Sequence, residues 1–452
     1  MKNSTSSFSS ILLALILLFR FAFAAENGVR TLTLDQCLKM ALENNYDVKL
    51  AAESIREQRA KLEQIKAQRL PQIQFDGSYL RFSKVMETTI APEFTGLPVR
   101  MSPLNLRFGD EDNYTASLNI TQPVFTGFRL RNSVEAARDR FKAAQYEEQR
   151  ALNDLSFQVK KNYYTLANAQ QFKQAALLSQ RSIEAHLHDV KNLYDQGMLN
   201  ETEVLQVEIK KSEVELMVHQ ADNRIKVLKK SLMQLLGMDL NTDFSLETDR
   251  IIAEPMMHGR SAPDRALGRR AELMQLDHRR EALQHGLGIA KAGYYPSIVL
   301  IGRYEYGKPG LNKLENQWMD YWTIGISAKW SLWDWGVRKS LYQQSQVALN
   351  RIETVREMLE TTIQLDVEKA RLDRDEAARR VTLARHTTAL AQKKFKLVRD
   401  QFQQGLVTNA DFLDAETQQT RAKIAELQAI ADYKIAAADL DRALGLSTFT
   451  GE

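Results

Sequence analysis

Two hydrophobic periods alternate along this chain. In Gln72-Ile73-Gln74-Phe75-Asp76 and in Tyr114-Thr115-Ala116-Ser117-Leu118-Asn119-Ile120-Thr121, apolar and polar residues take turns, and Trp322, Ile324, Ile326, Ala328 and Trp330 interleave with Thr323, Gly325, Ser327, Lys329 and Ser331. A period of two puts one apolar and one polar face on a strand, so strands are predicted over 72–82, 114–124, 297–306 and 321–332, making two hairpins. Elsewhere the spacing is three and four, as in Leu152, Leu155, Val159, Tyr163, Leu166 and in Ile183, Leu187, Val190, Tyr194. This predicts long helices over 131–194 and 339–402, 64 residues each with no internal proline or glycine. At the α-helical rise each would reach roughly 95 Å, with coiled-coil-like packing. Shorter helices are predicted over 35–69, 203–236, 263–292 and 410–444. Pro71 and Pro296 end the first helix of each half and open its strands, because proline lacks the N–H a helix needs.

The pattern occurs twice. Tyr194 to Glu208 (YDQGMLNETEVLQVE) matches Phe402 to Glu416 (FQQGLVTNADFLDAE), with Gln196/Gln404, Gly197/Gly405, Leu205/Leu413 and Glu208/Glu416 identical. Each copy reads as a helix hairpin: glycine stops one helix, and a polar linker with Asn200 or Asn409 at the expected cap starts the next. The offset of 208 holds from Val124-Phe125 (Leu332-Trp333) to Leu236-Gly237 (Leu444-Gly445), and an offset of 225 relates Pro71-x-Ile73-x-x-x-Gly77-x-Tyr79 to Pro296-x-Ile298-x-x-x-Gly302-x-Tyr304. The organisation is therefore a first repeat at 25–240, a linker at 241–262, a second repeat at 263–446 and a short tail at 447–452. Stacked end to end, the two short helices of each half match the long one, giving two helical staves per half and four per chain.

Ten-residue strands with one apolar face suit an outer-membrane hydrocarbon layer. Tyr114, Tyr304, Tyr306, Trp318, Tyr321 and Trp322 are expected at one rim, and Phe125, Trp330, Trp333 and Trp335 at the other. Four strands cannot close a barrel, since an open edge in lipid leaves backbone groups unpaired. Two copies would give eight strands and a filled interior; three would give twelve and a lumen.

Composition narrows the function. Residues 1–24 read as a signal peptide, with Lys2, the apolar run Ile11 to Phe19 and Ala22-Phe23-Ala24 before the cleavage point. Its removal leaves 59 basic against 57 acidic residues, a balance that argues against nucleic acid as a partner. Cys37 is the only cysteine, so no intrachain disulfide forms. No catalytic constellation, cofactor loop or metal site is predicted. The seven histidines read as scattered surface residues, with His186 and His188 on different faces and His278 and His285 without acids at ligand spacing. Gly286-x-Gly288 has no preceding strand and is not a phosphate loop.

Together the duplicated halves, the P-x-I-x-x-x-G-x-Y entries, the exits VFTGFR (124–129) and LWDWGVR (332–338) and the QG hairpins resemble the TolC-like outer-membrane efflux protein family. The resemblance implies a mainly α chain with a β-barrel part: a homotrimer with a twelve-stranded transmembrane β-barrel continued by a long periplasmic α-helical barrel. The linker would lie in an equatorial belt. It also implies a passive exit duct, with outer-membrane lipid, a periplasmic adaptor and an inner-membrane pump of the RND or ABC class as partners. The family's aperture aspartates map to Asp411 and Asp414, which share a helix face. Six such carboxylates from three chains would raise one another's pKa and draw in cations. The plainer alternative is a pair of solvated helix-start acids. At the gate latch the family's tyrosine and arginine are replaced by Phe402 and Val407, and Glu203 holds the acid position of the first repeat, so closure is expected to rely on apolar packing. An adaptor would dock at the hairpin tips around Gly197 and Gly405. The competing reading, a periplasm-spanning coiled-coil protein without a pore, leaves the amphipathic strands unexplained.

Overall fold

The computed structural model describes residues 30–90, 102–247 and 266–446. The signal peptide expected at 1–24, residues 248–262 of the linker and the tail 447–452 lie outside the described residues. In chain order the elements are β1 (Arg30–Leu32), α1 (Leu34–Asn44), α2 (Tyr46–Ala67), β2 (Gln72–Arg81), β3 (Met86–Ile90), β4 (Leu104–Phe108) and β5 (Asp112–Thr126). There follow α3 (Arg129–Asp195), α4 (Glu201–Leu235), β6 (Phe244–Leu246), α5 (Ala271–Lys291), β7 (Ser297–Lys308), β8 (Met319–Lys329), α6 (Val337–Gln403) and α7 (Asn409–Ala443). The duplication is visible in the element lengths. Helices α3 and α6 have 67 residues each, and α4 and α7 have 35 each.

The chain forms two compact units that cut across the sequence repeats. One draws on the chain through Tyr46, on the stretch beginning at Leu155 and on Ala370–Asp441; the other on Asp47–Asp154, the stretch ending at Lys369 and the residues from Arg442.

In the first unit, β1 pairs in parallel with β6. The unit's buried residues include Phe244, Leu32, Leu232 and Cys37, whose thiol burial pushes up to about 12. Tyr163 donates its hydroxyl to Glu247 O at 2.8 Å. The helix expected over 35–69 is two helices. Asn45 leaves helical geometry at ψ 138° because its side chain is drawn away to Leu235 O at 3.0 Å, and α1 has its own capping box from Thr33 and Gln36.

In the second unit, four antiparallel strands lie in the order β2-β5-β7-β8. Register aligns the apolar positions into rows across all four: Ile73, Ile120, Gly302 and Ile324 in one, Phe75, Leu118, Tyr304 and Trp322 in the next. The other face carries Asp76, Ser117, Glu305 and Tyr321. Tyr321 thus sits on the polar face, opposite the side expected of a rim aromatic, because its parity is that of Thr323. Between β2 and β5 the strands β3 and β4 pair as an additional antiparallel ribbon that the sequence pattern did not disclose.

Strand β8 stops three residues short of the predicted end at 332. The carbonyls of Ser331 and Leu332 are taken by the Arg338 guanidinium, at 2.7 and 3.3 Å, instead of a neighbouring strand. Of the helix expected over 263–292, residues 263–265 lie outside the described residues, and the regular run begins at Ala271. Arg270 occupies the N-cap with extended backbone and donates to Ala443 O at 3.0 Å. The remaining predicted ends differ by one or two residues, the usual fraying range.

Candidate functional site

The helix hairpins of both repeats lie in the first unit. Helix α3 ends in a Schellman turn: Gly197 has φ 72°, its N–H donates to Tyr194 O at 2.8 Å, and Met198 N–H donates to Leu193 O at 2.9 Å. Helix α6 repeats it at Gly405, φ 73°, with Leu406 N–H to Gln401 O at 3.0 Å. The residue after each glycine, Met198 and Leu406, is 68% exposed.

The two following helices start differently. Asn200 caps α4 by accepting from Glu203 N–H at 3.2 Å. In the second repeat Thr408, not Asn409, is the cap: its Oγ1 accepts from Asp411 N–H at 3.2 Å, and Asp411 Oδ2 accepts from Thr408 N–H at 3.0 Å and its hydroxyl at 2.6 Å. These bonds from Thr408 hold the Asp411 carboxyl below the usual range. Within one chain this opposes the upward shift expected of converging carboxylates. Asp411 and Asp414 are both exposed.

Freed from capping, Asn409 turns inward and is 2% exposed. Its amide nitrogen donates to Glu203 Oε2 at 2.9 Å and to Glu203 O at 3.3 Å, while its oxygen accepts from His186 Nε2 at 2.7 Å. That bond direction follows from the amide: once the nitrogen faces Glu203, the oxygen requires an N–H from the imidazole. His186 is buried, not a surface histidine, and desolvation lowers its pKa below 6.5. Its ring stacks on Phe412 at 3.7 Å and meets Phe402 edge-on at 4.7 Å. Phe402 also packs against the apolar cluster of Ile183, Leu187, Val190, Val204 and Val207. The structure therefore gathers Glu203 and Phe402 at one junction between the repeats, joined by His186 and Asn409, while Val407 is half-buried beside Thr408. Pro71 and Pro296 immediately precede β2 and β7.

The junction ties together two sequence repeats built on one plan, four long helices and an amphipathic sheet. A family model described as outer membrane efflux protein matches residues 37–238 and 262–446. The chain belongs to the outer membrane efflux protein family. Among family relatives, the probable efflux pump outer membrane protein TtgC of Pseudomonas putida is 21% identical over 406 residues, covering 87% of this chain and 79% of that one. Two solved structures share the fold. The Campylobacter jejuni CmeC outer membrane channel has a TM-score of 0.76 at 18% identity, with 93% of this chain and 87% of that chain covered. The Neisseria gonorrhoeae MtrE outer membrane channel, in its open state, has a TM-score of 0.74 at 18% identity, with 93% and 91% covered. The family fold accounts for the paired 67-residue helices and the four-stranded sheet.

His278 and His285 are half-buried, not scattered surface histidines. His278 has an acid at ligand spacing, since Nδ1 lies 3.0 Å from Glu281 Oε2 one turn along α5, and Asp139 of α3 approaches both His278 and His285. The spacing His278-x-x-Glu281-x-x-x-His285 places all three on one helix face and was legible. Asp139, supplied by a different helix, was not.

Proposed function

We propose that this chain is the outer-membrane exit duct of a tripartite efflux or type I secretion system, a passive trimeric channel opened at its periplasmic end. The observation that carries the reading is the sheet. Its apolar face is bare in the single chain, with Ile73, Phe75, Trp322 and Ile324 all two-thirds exposed or more. Strands β2 and β8 are each paired on one side only among the described residues. Water disfavours the bare face, and lipid disfavours the open edges. Closing the edges against further copies, with the apolar face turned to hydrocarbon, satisfies both. Three copies give about twelve strands and room for a lumen. No described helix is long and apolar enough to cross a membrane.

A helix face supports the same assembly. Met358, Leu365, Leu372, Leu383, Leu390 and Leu397 of α6 are more than half exposed, spaced by seven with one step of eleven. Such a stripe suits packing on a neighbouring stave. In this assembly Asp411 and Asp414 ring the periplasmic aperture, and Glu203, Phe402 and Val407 belong to its latch. A periplasmic adaptor docks at the tips around Gly197 and Gly405, where Met198 and Leu406 offer apolar contacts. Cargo enters from an inner-membrane pump. The test is the mass of the detergent-purified protein and its conductance in planar bilayers. Three copies per particle and discrete channel openings are expected; a monomer soluble without detergent would overturn the reading.

A further inference from the structure

We infer that the second unit contains a binding site for a divalent transition-metal ion of the zinc class, formed by Asp139 of α3 with His278, Glu281 and His285 of α5. A ligand oxygen or nitrogen from each of Asp139, His278 and Glu281 lies within 4.8 Å of the other two. His278 Nδ1 stands 3.0 Å from Glu281 Oε2 and 3.8 Å from Asp139 Oδ1, and His285 Nε2 stands 3.4 Å from Asp139 Oδ2. Around a tetrahedral ion with bonds of about 2.0 to 2.1 Å, neighbouring ligand atoms are about 3.4 Å apart. The three observed separations bracket that edge length; Asp139, His278 and Glu281 are already gathered, and His285, in reach of Asp139 Oδ2, joins as the fourth ligand by rotation of its side chain.

Chemistry and burial agree with the geometry. Two imidazoles with two carboxylates form a borderline donor set that suits zinc, cobalt, nickel or copper better than calcium or magnesium. Asp139 is 94% buried by its 6% exposure, and desolvation pushes its carboxyl up from the usual range. A buried carboxylate facing two histidines across 3.4 and 3.8 Å, beyond the range of short charge-assisted bonds, gains much from a cation placed between them. Lys142 Nζ, 3.8 Å from Asp139 Oδ1, is the local competitor; its side chain is 44% exposed and free to swing into water. The His278 ring is held by stacking on Tyr146 at 5.5 Å, which fixes its aim. Glu281 and His285, 43% and 35% exposed, leave the ion a path from solvent. Because its ligands come from two helices, the ion would clamp α5 to α3.

The test uses the full chain purified in detergent and stripped with a chelator, with Co2+ as the spectroscopic probe. One Co2+ per chain is expected, with the visible absorption of a low-symmetry histidine-carboxylate site, and excess Zn2+ should displace it from a tetrahedral site of this donor set. Zn2+ should also raise the melting midpoint. Asp139→Asn and His285→Ala should each weaken Co2+ binding at least tenfold, whereas His188→Ala, on the exposed face of α3, should leave it unchanged. Circular dichroism and particle mass of Asp139→Asn separate loss of the site from loss of the fold. If the native chain takes up no Co2+, or if the Asp139→Asn/His285→Ala pair binds it as the native chain does, the inference falls. Both outcomes are independent of channel conductance.

Discussion

His186 and Asn409, 223 residues apart in the chain, are joined by a buried 2.7 Å bond between Nε2 and Oδ1. The bond connects the long helix of one repeat to the first turn of the other repeat's last helix, and Asn409 passes the connection on to Glu203. Replacing Asn409 with alanine leaves the buried His186 N–H without its partner and removes a donor from Glu203. Leaving buried groups unmatched costs about 1 to 3 kcal/mol. Asn409→Ala is therefore expected to lower stability by that amount. Paired with His186→Phe in a double-mutant cycle, it should show coupling beyond the 0.5 kcal/mol typical of distant sites. Thermal and denaturant unfolding in detergent measure both.

Burial of His186 makes the junction sensitive to acid. Burial lowers the pKa of His186 from 6.5, with the Asn409 bond and the neighbouring charge of Asp189 opposing it. The folded chain therefore holds this proton less readily than the unfolded one. The contribution is present above pH 6.5 and is lost as pH falls below 6.5 through the folded-state value. Melting midpoints should decline from pH 7 towards pH 5, and His186→Phe should flatten that part of the profile. Equal slopes for the two proteins would exclude His186 as the sensor.

Much of this architecture was legible in the sequence because its signals are local. The long helices and their twofold repetition follow from three-and-four spacing and a gap-free offset, and the strand faces from period two. The failures occur where distant partners decide. Asn409 reads as a cap because asparagine prefers caps, but Thr408 with Asp411 makes the better box, and the partners that draw Asn409 inward lie 206 and 223 positions away. Asn45 breaks a helix for a carbonyl 190 positions on. The strand end at Lys329 is set by Arg338, which no alternation rule contains.

The paired aspartates are expected to be unequal. Asp411 already accepts two bonds from Thr408, so its charge is partly spent on starting α7, whereas Asp414 is exposed. In single-channel recordings, block by divalent cations should weaken in the Asp411→Ala/Asp414→Ala pair. Asp414→Ala alone should account for the larger part. Asp411→Ala should additionally lower the melting midpoint slightly, because Thr408 N–H loses its acceptor in the capping box. Undiminished block in the double variant would remove both residues from the aperture.

Adjacent positions on β8 should respond oppositely to charge. Ile324 shares its row with Ile73 and Ile120 on the bare apolar face, and Thr323 faces the side that carries the Arg303–Glu305 ion pair. Arginine on a lipid-facing midplane position costs about 2 to 4 kcal/mol, and the lumenal face tolerates it. Ile324→Arg is expected to reduce outer-membrane assembly severely, while Thr323→Arg assembles and changes conductance or ion selectivity. Fractionation followed by bilayer recording distinguishes them.

Two glycines in left-handed backbone make a matched pair for stability. Gly405 has φ 73° with open space where a Cβ would sit; Gly127 has φ 60°, and a Cβ there would stand 2.5 Å from Ala292 O. Alanine at Gly405 meets only the intrinsic left-handed cost, about 1 to 2 kcal/mol. Alanine at Gly127 meets that cost and a backbone collision that no rotamer relieves, at the turn where β5 passes into α3. The turn has little slack: Phe128 follows with φ 67°, and in the second repeat Trp335 and Gly336 hold φ 54° and 92° at the equivalent positions, so one bulky residue in each copy already bears the strain. Gly127→Ala should therefore lower the melting midpoint clearly more than Gly405→Ala. Equal shifts would mean that the strand-to-helix turn yields by moving Ala292, and that the close approach is not a constraint on the fold.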